Sequence, residues 1–108
     1  MDKSLLTGST TMLILKLLEE QDMYGYQMIE SLSKKSCEVF NLKAWTLYPI
    51  LHGLVNEGML SSYETLSDYS RKRKYYHLTS KGKSLLKEKQ SEWHAYSKAV
   101  NQVLDGGI

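Results

Sequence analysis

Apolar residues crowd the early part of the chain, where Met12, Leu13, Ile14, Leu15, Leu17 and Leu18 cover most of a helical circumference. This pattern predicts a largely buried first helix over residues 9–21, with Ser9, Thr10 or Thr11 as its cap. Gln21 and Asp22 interrupt it, and Tyr24, Met28, Ile29 and Leu32 then recur at helical spacing up to the polar stretch 33–36, which defines a second helix. Residues 37–43 have no clear period and read as a turn. Leu47, Ile50, Leu51, Leu54 and Val55 repeat at intervals of three and four, and Gly58 suits the left-handed stop of a third helix. Pro49 complicates where that helix begins, because proline is comfortable only where its missing N–H is not needed. The local rule puts the cap near Thr46. A start closer to Lys43 requires a kink or a distorted first turn, and the pattern leaves both open.

After Gly58 the period changes, so that residues 60–66 and 73–78 read as two short strands joined by the polar segment 67–72. Thr79 then caps a last helix over 80–104, about 37 Å long at 1.5 Å per residue and longer than one small domain requires. Within it Leu86, Trp93 and Val100 recur every seven residues, with Tyr96 and Val103 as a second row. One side of this helix therefore expects a partner, and the dimer interface expected of it comprises Leu86, Trp93, Tyr96, Val100, Val103 and Leu104. Residues 105–108 should fray. Helix, helix, turn, helix, hairpin, helix is the order of a mainly α winged helix-turn-helix: a DNA-binding part over 1–78, with a two-stranded β-hairpin wing, and a C-terminal dimerisation helix over 79–108, in one compact unit.

Composition narrows the classes. A chain of 108 residues, 42% hydrophobic and 24% charged, has the profile of one globular domain. Its apolar runs fall short of the roughly 18 residues of a membrane span and its start lacks leader features, so the expectation is a cytoplasmic protein with no membrane contact. Cys37 is the single cysteine, which suits a reducing compartment, and it reads as a small semi-buried side chain, with a redox-sensing thiol as the alternative. Enzyme chemistry finds no constellation. His52, His77 and His94 are scattered and lack the spacing of a metal site, glycines occur singly apart from Gly106 and Gly107, and the neighbours Glu19 and Glu20 point in different directions on a helix. No cofactor is expected.

Charge is distributed unevenly despite a net value of only +2. Arg71, Lys72, Arg73, Lys74, Lys81 and Lys83 fall within thirteen residues that contain no acid, whereas Glu19, Glu20 and Asp22 lie far upstream. A charge run alone reads as a solvated turn. On a wing, Arg71 to Lys74 can meet phosphates regardless of base sequence. At the front of the third helix Lys43, Trp45, Thr46 and Tyr48 offer a cation, an indole, a hydroxyl and a phenol to a duplex, although Trp45 and Tyr48 could equally belong to the core and Thr46 be only a cap. Double-stranded DNA is the partner these features favour over an acidic protein surface, the second reading.

Tyr24-Gly25-Tyr26, Thr46-Leu47-Tyr48-Pro49, Glu57-Gly58 and Arg73-Lys74-Tyr75-Tyr76-His77-Leu78-Thr79, in this order and spacing, resemble the signature of PadR-like regulators across nearly the whole chain. Without a large C-terminal domain the chain is similar to the short subfamily, which includes a lactococcal multidrug-responsive repressor whose wing resembles Ser61-Ser62-Tyr63 and the Arg-Lys-Tyr-Tyr run. The resemblance implies a homodimer that represses promoters at a two-fold operator and is released by a small molecule or another signal. It also implies an effector pocket for a planar aromatic molecule near Met12, Leu86, Trp93 and Tyr96, where the plainer role of Trp93 is dimer core. Gln90, one turn before Trp93, makes that place more polar. Lys43, Ala44 and Trp45 depart from the small residue and proline that members often carry there.

Overall fold

The computed structural model describes the backbone of residues 3–66 and 71–106 and the side chains of 9–66 and 71–106. The chain runs α1 (Lys3–Glu20), β1 (Met23–Tyr24), α2 (Gly25–Lys35), α3 (Ala44–Asn56), β2 (Leu60–Leu66), β3 (Lys72–Leu78) and α4 (Ser80–Leu104). The expected mainly α winged helix is what forms. The core is built from Ile14, Leu15, Leu17 and Leu18 of α1, Met28 and Leu32 of α2, Leu47, Leu51 and Leu54 of α3, and Leu60, Tyr76, Leu78 and Leu86 from the sheet and α4.

Two helix starts differ from expectation. The first helix begins at Lys3, so Ser9, Thr10 and Thr11 are interior residues and not caps, and Thr10 is buried. Tyr24 belongs to the strand β1, and the second helix begins after it at Gly25. Beginning α2 there frees Met23 and Tyr24 to pair with Tyr76 and Tyr75, which adds a third strand and gives the antiparallel order β1-β3-β2. β2 pairs with β3 from Leu60↔Leu78 to Leu66↔Lys72, so the wing is a regular ladder up to its tip. Its connection at 67–70 lies outside the described residues, as do 107 and 108 of the tail expected to fray.

For α3 the structure selects the early start. Lys43 is the N-cap, and both the Thr46 and Leu47 amides donate to its carbonyl at 3.0 Å. Thr46 is thus the third helical residue, not the cap. Pro49 removes the hydrogen bond that the Trp45 carbonyl would accept from it, but its ring lies on the exposed side of the helix, away from the buried leucines. At the other end Gly58 has φ +79°, and the amides of Gly58 and Met59 donate to Val55 and Leu54, a Schellman stop that only glycine enters without strain.

Asp22, between α1 and β1, ties down the wing. The Tyr63 hydroxyl donates to its Oδ2 at 2.7 Å and His77 Nδ1 lies 2.8 Å from its Oδ1, so one carboxylate holds β2 and β3 together. Partial burial pushes this carboxyl up, but the bonds from Tyr63 and His77 and the charge of His77 outweigh that and hold it below its ordinary value. On the same face Tyr75 is stacked on Tyr63 at 5.7 Å and meets Tyr24 edge-on at 5.5 Å.

Thr79 caps α4, its hydroxyl oxygen accepting from the Gly82 amide at 3.1 Å. The first turns of α4 pack into the core, and there the seven-residue row breaks down as an interface. Leu86 is fully buried among the core side chains of this chain, so, contrary to expectation, it presents no surface to a second copy or to an effector. The helix then runs past the other elements, which stretches the molecule to 59 × 29 × 21 Å. Cys37 also differs from expectation: it is exposed in the turn before α3, where Cys37 and Glu38 both adopt positive φ (51° and 66°). Among the described residues no helix is long and apolar enough to cross a membrane.

Candidate nucleic-acid interface

The alternation of β3 sorts the basic run by face. Lys74 lies two residues from the buried Tyr76 and places its Nζ over that ring at 5.9 Å, so Lys72 and Lys74 share the face that turns toward the helices. Arg73 points the other way and rests its guanidinium over Tyr24 at 4.5 Å. All three are exposed, and among the described residues none of them forms an ion pair, although Glu64 is opposite Lys74 in the ladder.

These cations form one wall of a concavity of about 540 Å³. Arg71 to Lys74 and Tyr76 line it from β3, Tyr24, Gly25 and Tyr26 from the start of α2, and Tyr48 and His52 from α3. The amino end of α2 adds the positive pole of its helix dipole to this wall of cations. An anion entering between the wing and α3 thus meets positive charge from two sides.

Gly25 makes the concavity close-packed at its base. A Cβ there would collide with the Tyr48 hydroxyl and approach its Cζ to 2.7 Å, so the absence of a side chain at 25 lets Tyr48 lie across the start of α2. Burial, and secondarily Tyr26, raises the Tyr48 phenol above its ordinary value, so it stays a neutral donor. Tyr48 is consequently both packing element and lining residue, and neither role expected for it excludes the other.

Lys43, Trp45 and Thr46 are exposed at the front of α3, outside the lining of the concavity. Trp45 is 76% exposed, so it does not belong to the core. The expected DNA-binding residues therefore fall into two adjoining groups: Tyr48 with Arg71 to Lys74 around the concavity, and Lys43, Trp45 and Thr46 on the ridge beside it. Sequence reasoning passed over His52, Tyr26 and Tyr76. His52 was legible as the residue one helical turn beyond Tyr48, and Tyr26 as part of the Tyr-Gly-Tyr motif.

The residues expected to bind an effector are only partly brought together. Trp93 and Tyr96 are neighbours, with ring centroids 6.1 Å apart, and both are exposed; Met12 lies half-buried against the core, and Leu86 is out of reach. Beyond them Val100 is half-buried and Val103 and Leu104 are exposed.

A family model described as the transcriptional regulator PadR-like family matches residues 14–88. The fold is similar to that of a transcriptional regulator from Clostridium thermocellum, with a TM-score of 0.85 and 31% identity over 93% of this chain and 97% of the other. It is also similar to a PadR family transcriptional regulator from Eggerthella lenta, with a TM-score of 0.83 and 34% identity over 94% and 86%. A PadR-like regulator from Bacillus cereus gives 0.82 and 29% over 94% and 97%.

Proposed function

This chain belongs to the PadR-like family of transcriptional regulators, and is thus a DNA-binding regulator and not an enzyme, and from that premise we propose that it is a homodimeric repressor of a two-fold operator. The observation that carries this reading is the shared opening of α3 and the basic strand β3 onto one concavity. A duplex laid there would take α3 into a major groove while Lys72 and Lys74 meet the adjacent phosphates. The wing supplies affinity without base preference, and the front of α3 supplies the preference.

Dimerisation uses the exposed apolar side of α4. Trp93, Tyr96, Val100, Val103 and Leu104 lie on a helix that has left its own core, and pairing two such helices would remove this surface from water. The pair would hold two recognition helices about one turn of duplex apart, roughly 34 Å, or a multiple of it. A planar aromatic molecule held between the helices by Trp93 and Tyr96, with Met12 at the edge, would change DNA affinity insofar as it favours one arrangement of the dimer.

The reading is tested by gel shift on DNA from upstream of the chain's own gene, at two salt concentrations. Preferential binding over random duplex is expected, weakening as salt rises. Equal binding to every fragment would refute a sequence-specific repressor. For the effector, a Trp45→Phe background leaves Trp93 as the remaining indole. Planar cationic dyes should quench its fluorescence, and no quenching would remove the pocket from the account.

A further inference from the structure

We propose that the protein recognises its operator mainly through thymine methyl groups, covered by Trp45 at the front of α3; this rests on the DNA-binding reading above. The exposed face of α3 starts with Trp45 and Thr46 and continues through Pro49 and His52. The side chains that read bases by paired hydrogen bonds, arginine or lysine on guanine and asparagine or glutamine on adenine, are absent from positions 44–55. Lys43 is the cap, and Asn56 lies eleven residues beyond Trp45, about 16 Å along the axis at 1.5 Å per residue. The leading part of the helix therefore offers an apolar ridge of Trp45 and Pro49, one turn apart on one side, with the methyl of the exposed Thr46 on the adjoining flank.

In the major groove the thymine 5-methyl is the apolar group that base pairs present. An indole left 76% exposed, on a face separate from the apolar side of α4, gains most by covering such groups. Its Nε1–H is a lone donor and cannot distinguish guanine from adenine by a paired contact. The chemistry of the ridge thus selects thymine over cytosine by a methyl and leaves orientation to Lys43, Thr46 and His52.

The test uses the full chain and a duplex that it selects from a random pool. Each thymine is replaced in turn by deoxyuridine, which keeps every hydrogen-bonding edge and lacks only the methyl. At the positions under Trp45, affinity should fall about three- to fivefold per methyl, as expected for losing burial of one methylene-sized group. Trp45→Ala should bind the two versions equally, with an unchanged thermal melt because the side chain is exposed. Lys74→Ala should bind both more weakly and keep their ratio. Tolerance of deoxyuridine everywhere, with the selected duplex still preferred, overturns this inference and leaves the DNA-binding reading standing. A ratio that persists in Trp45→Ala overturns the role of Trp45. Failure to select any duplex overturns both readings.

Discussion

Replacing Lys72 and Lys74 together by alanine should flatten the salt dependence of DNA binding by a predictable amount. Both lysines share one face of β3 and line the concavity beside α3, so each is positioned to neutralise a phosphate. Every phosphate neutralised on a duplex contributes about 0.9 to the slope of log affinity against log salt. Two lysines per protomer, and four per dimer, correspond to a slope change of about 3.6. Across a fourfold increase in salt, the wild type would lose roughly 150-fold more affinity than the double variant. Arg73→Ala should change the slope less per residue, because its guanidinium, although it also lines the concavity, extends from the other face of β3 and is already engaged over the Tyr24 ring. Fluorescence anisotropy on one labelled duplex, repeated over a salt series, measures both. A double variant with the wild-type slope would remove β3 from the DNA, and an Arg73 effect as large as that of either lysine would refute the division of faces.

Other consequences concern packing, pH and assembly. At Gly82 a Cβ would run into the Met59 carbonyl oxygen and lie 2.6 Å from Leu78 Cδ1, so Gly82→Ala should destabilise by about 1–3 kcal/mol in chemical denaturation despite the better helix propensity of alanine. Gly53 has open space around its Cα, and Gly53→Ala should instead stabilise by up to about 1 kcal/mol; the opposite order would contradict the packing described. Because the Asp22 carboxyl is held below its ordinary value in the folded state, its contribution is present above the unfolded pKa and is lost as pH falls through the folded one. Stability of the wild type should therefore drop more steeply than that of Asp22→Asn below about pH 4, and parallel curves would show that the Tyr63–Asp22–His77 contact does not matter. Val100→Asp combined with Val103→Asp should convert dimer to monomer in sedimentation at micromolar concentration, whereas an unchanged sedimentation coefficient would place the subunit contact elsewhere.

What the sequence revealed follows the range of the forces involved. The hairpin and α4 were legible because they rest on local signals: the loss of helical period after residue 58, a threonine cap at 79 and a glycine stop at 58. β1 was not, since two residues cannot display a period and their pairing partner lies some fifty residues away. Leu86 and Val100 occupy equivalent places in a seven-residue pattern, yet one is fully buried and the other half-buried on the projecting part of α4. That difference is set by where α4 leaves the core, which spacing alone does not encode. At the candidate interface the cations were visible as a run, but their division between two faces required the register of β3. Tyr48 became intelligible only through Gly25, whose missing side chain lets the ring lie across α2.

The claim that wing and α3 together form the DNA-binding surface is tested most directly by amide chemical-shift mapping of the labelled protein titrated with its selected duplex. The largest changes are predicted at Lys43 to His52, at Lys72 to Lys74 and at Gly25 and Tyr26, with little effect at Glu30, Lys34 and Lys35 on the far end of α2. Changes concentrated on that end of α2 or along the projecting part of α4, with α3 and β3 undisturbed, would contradict it.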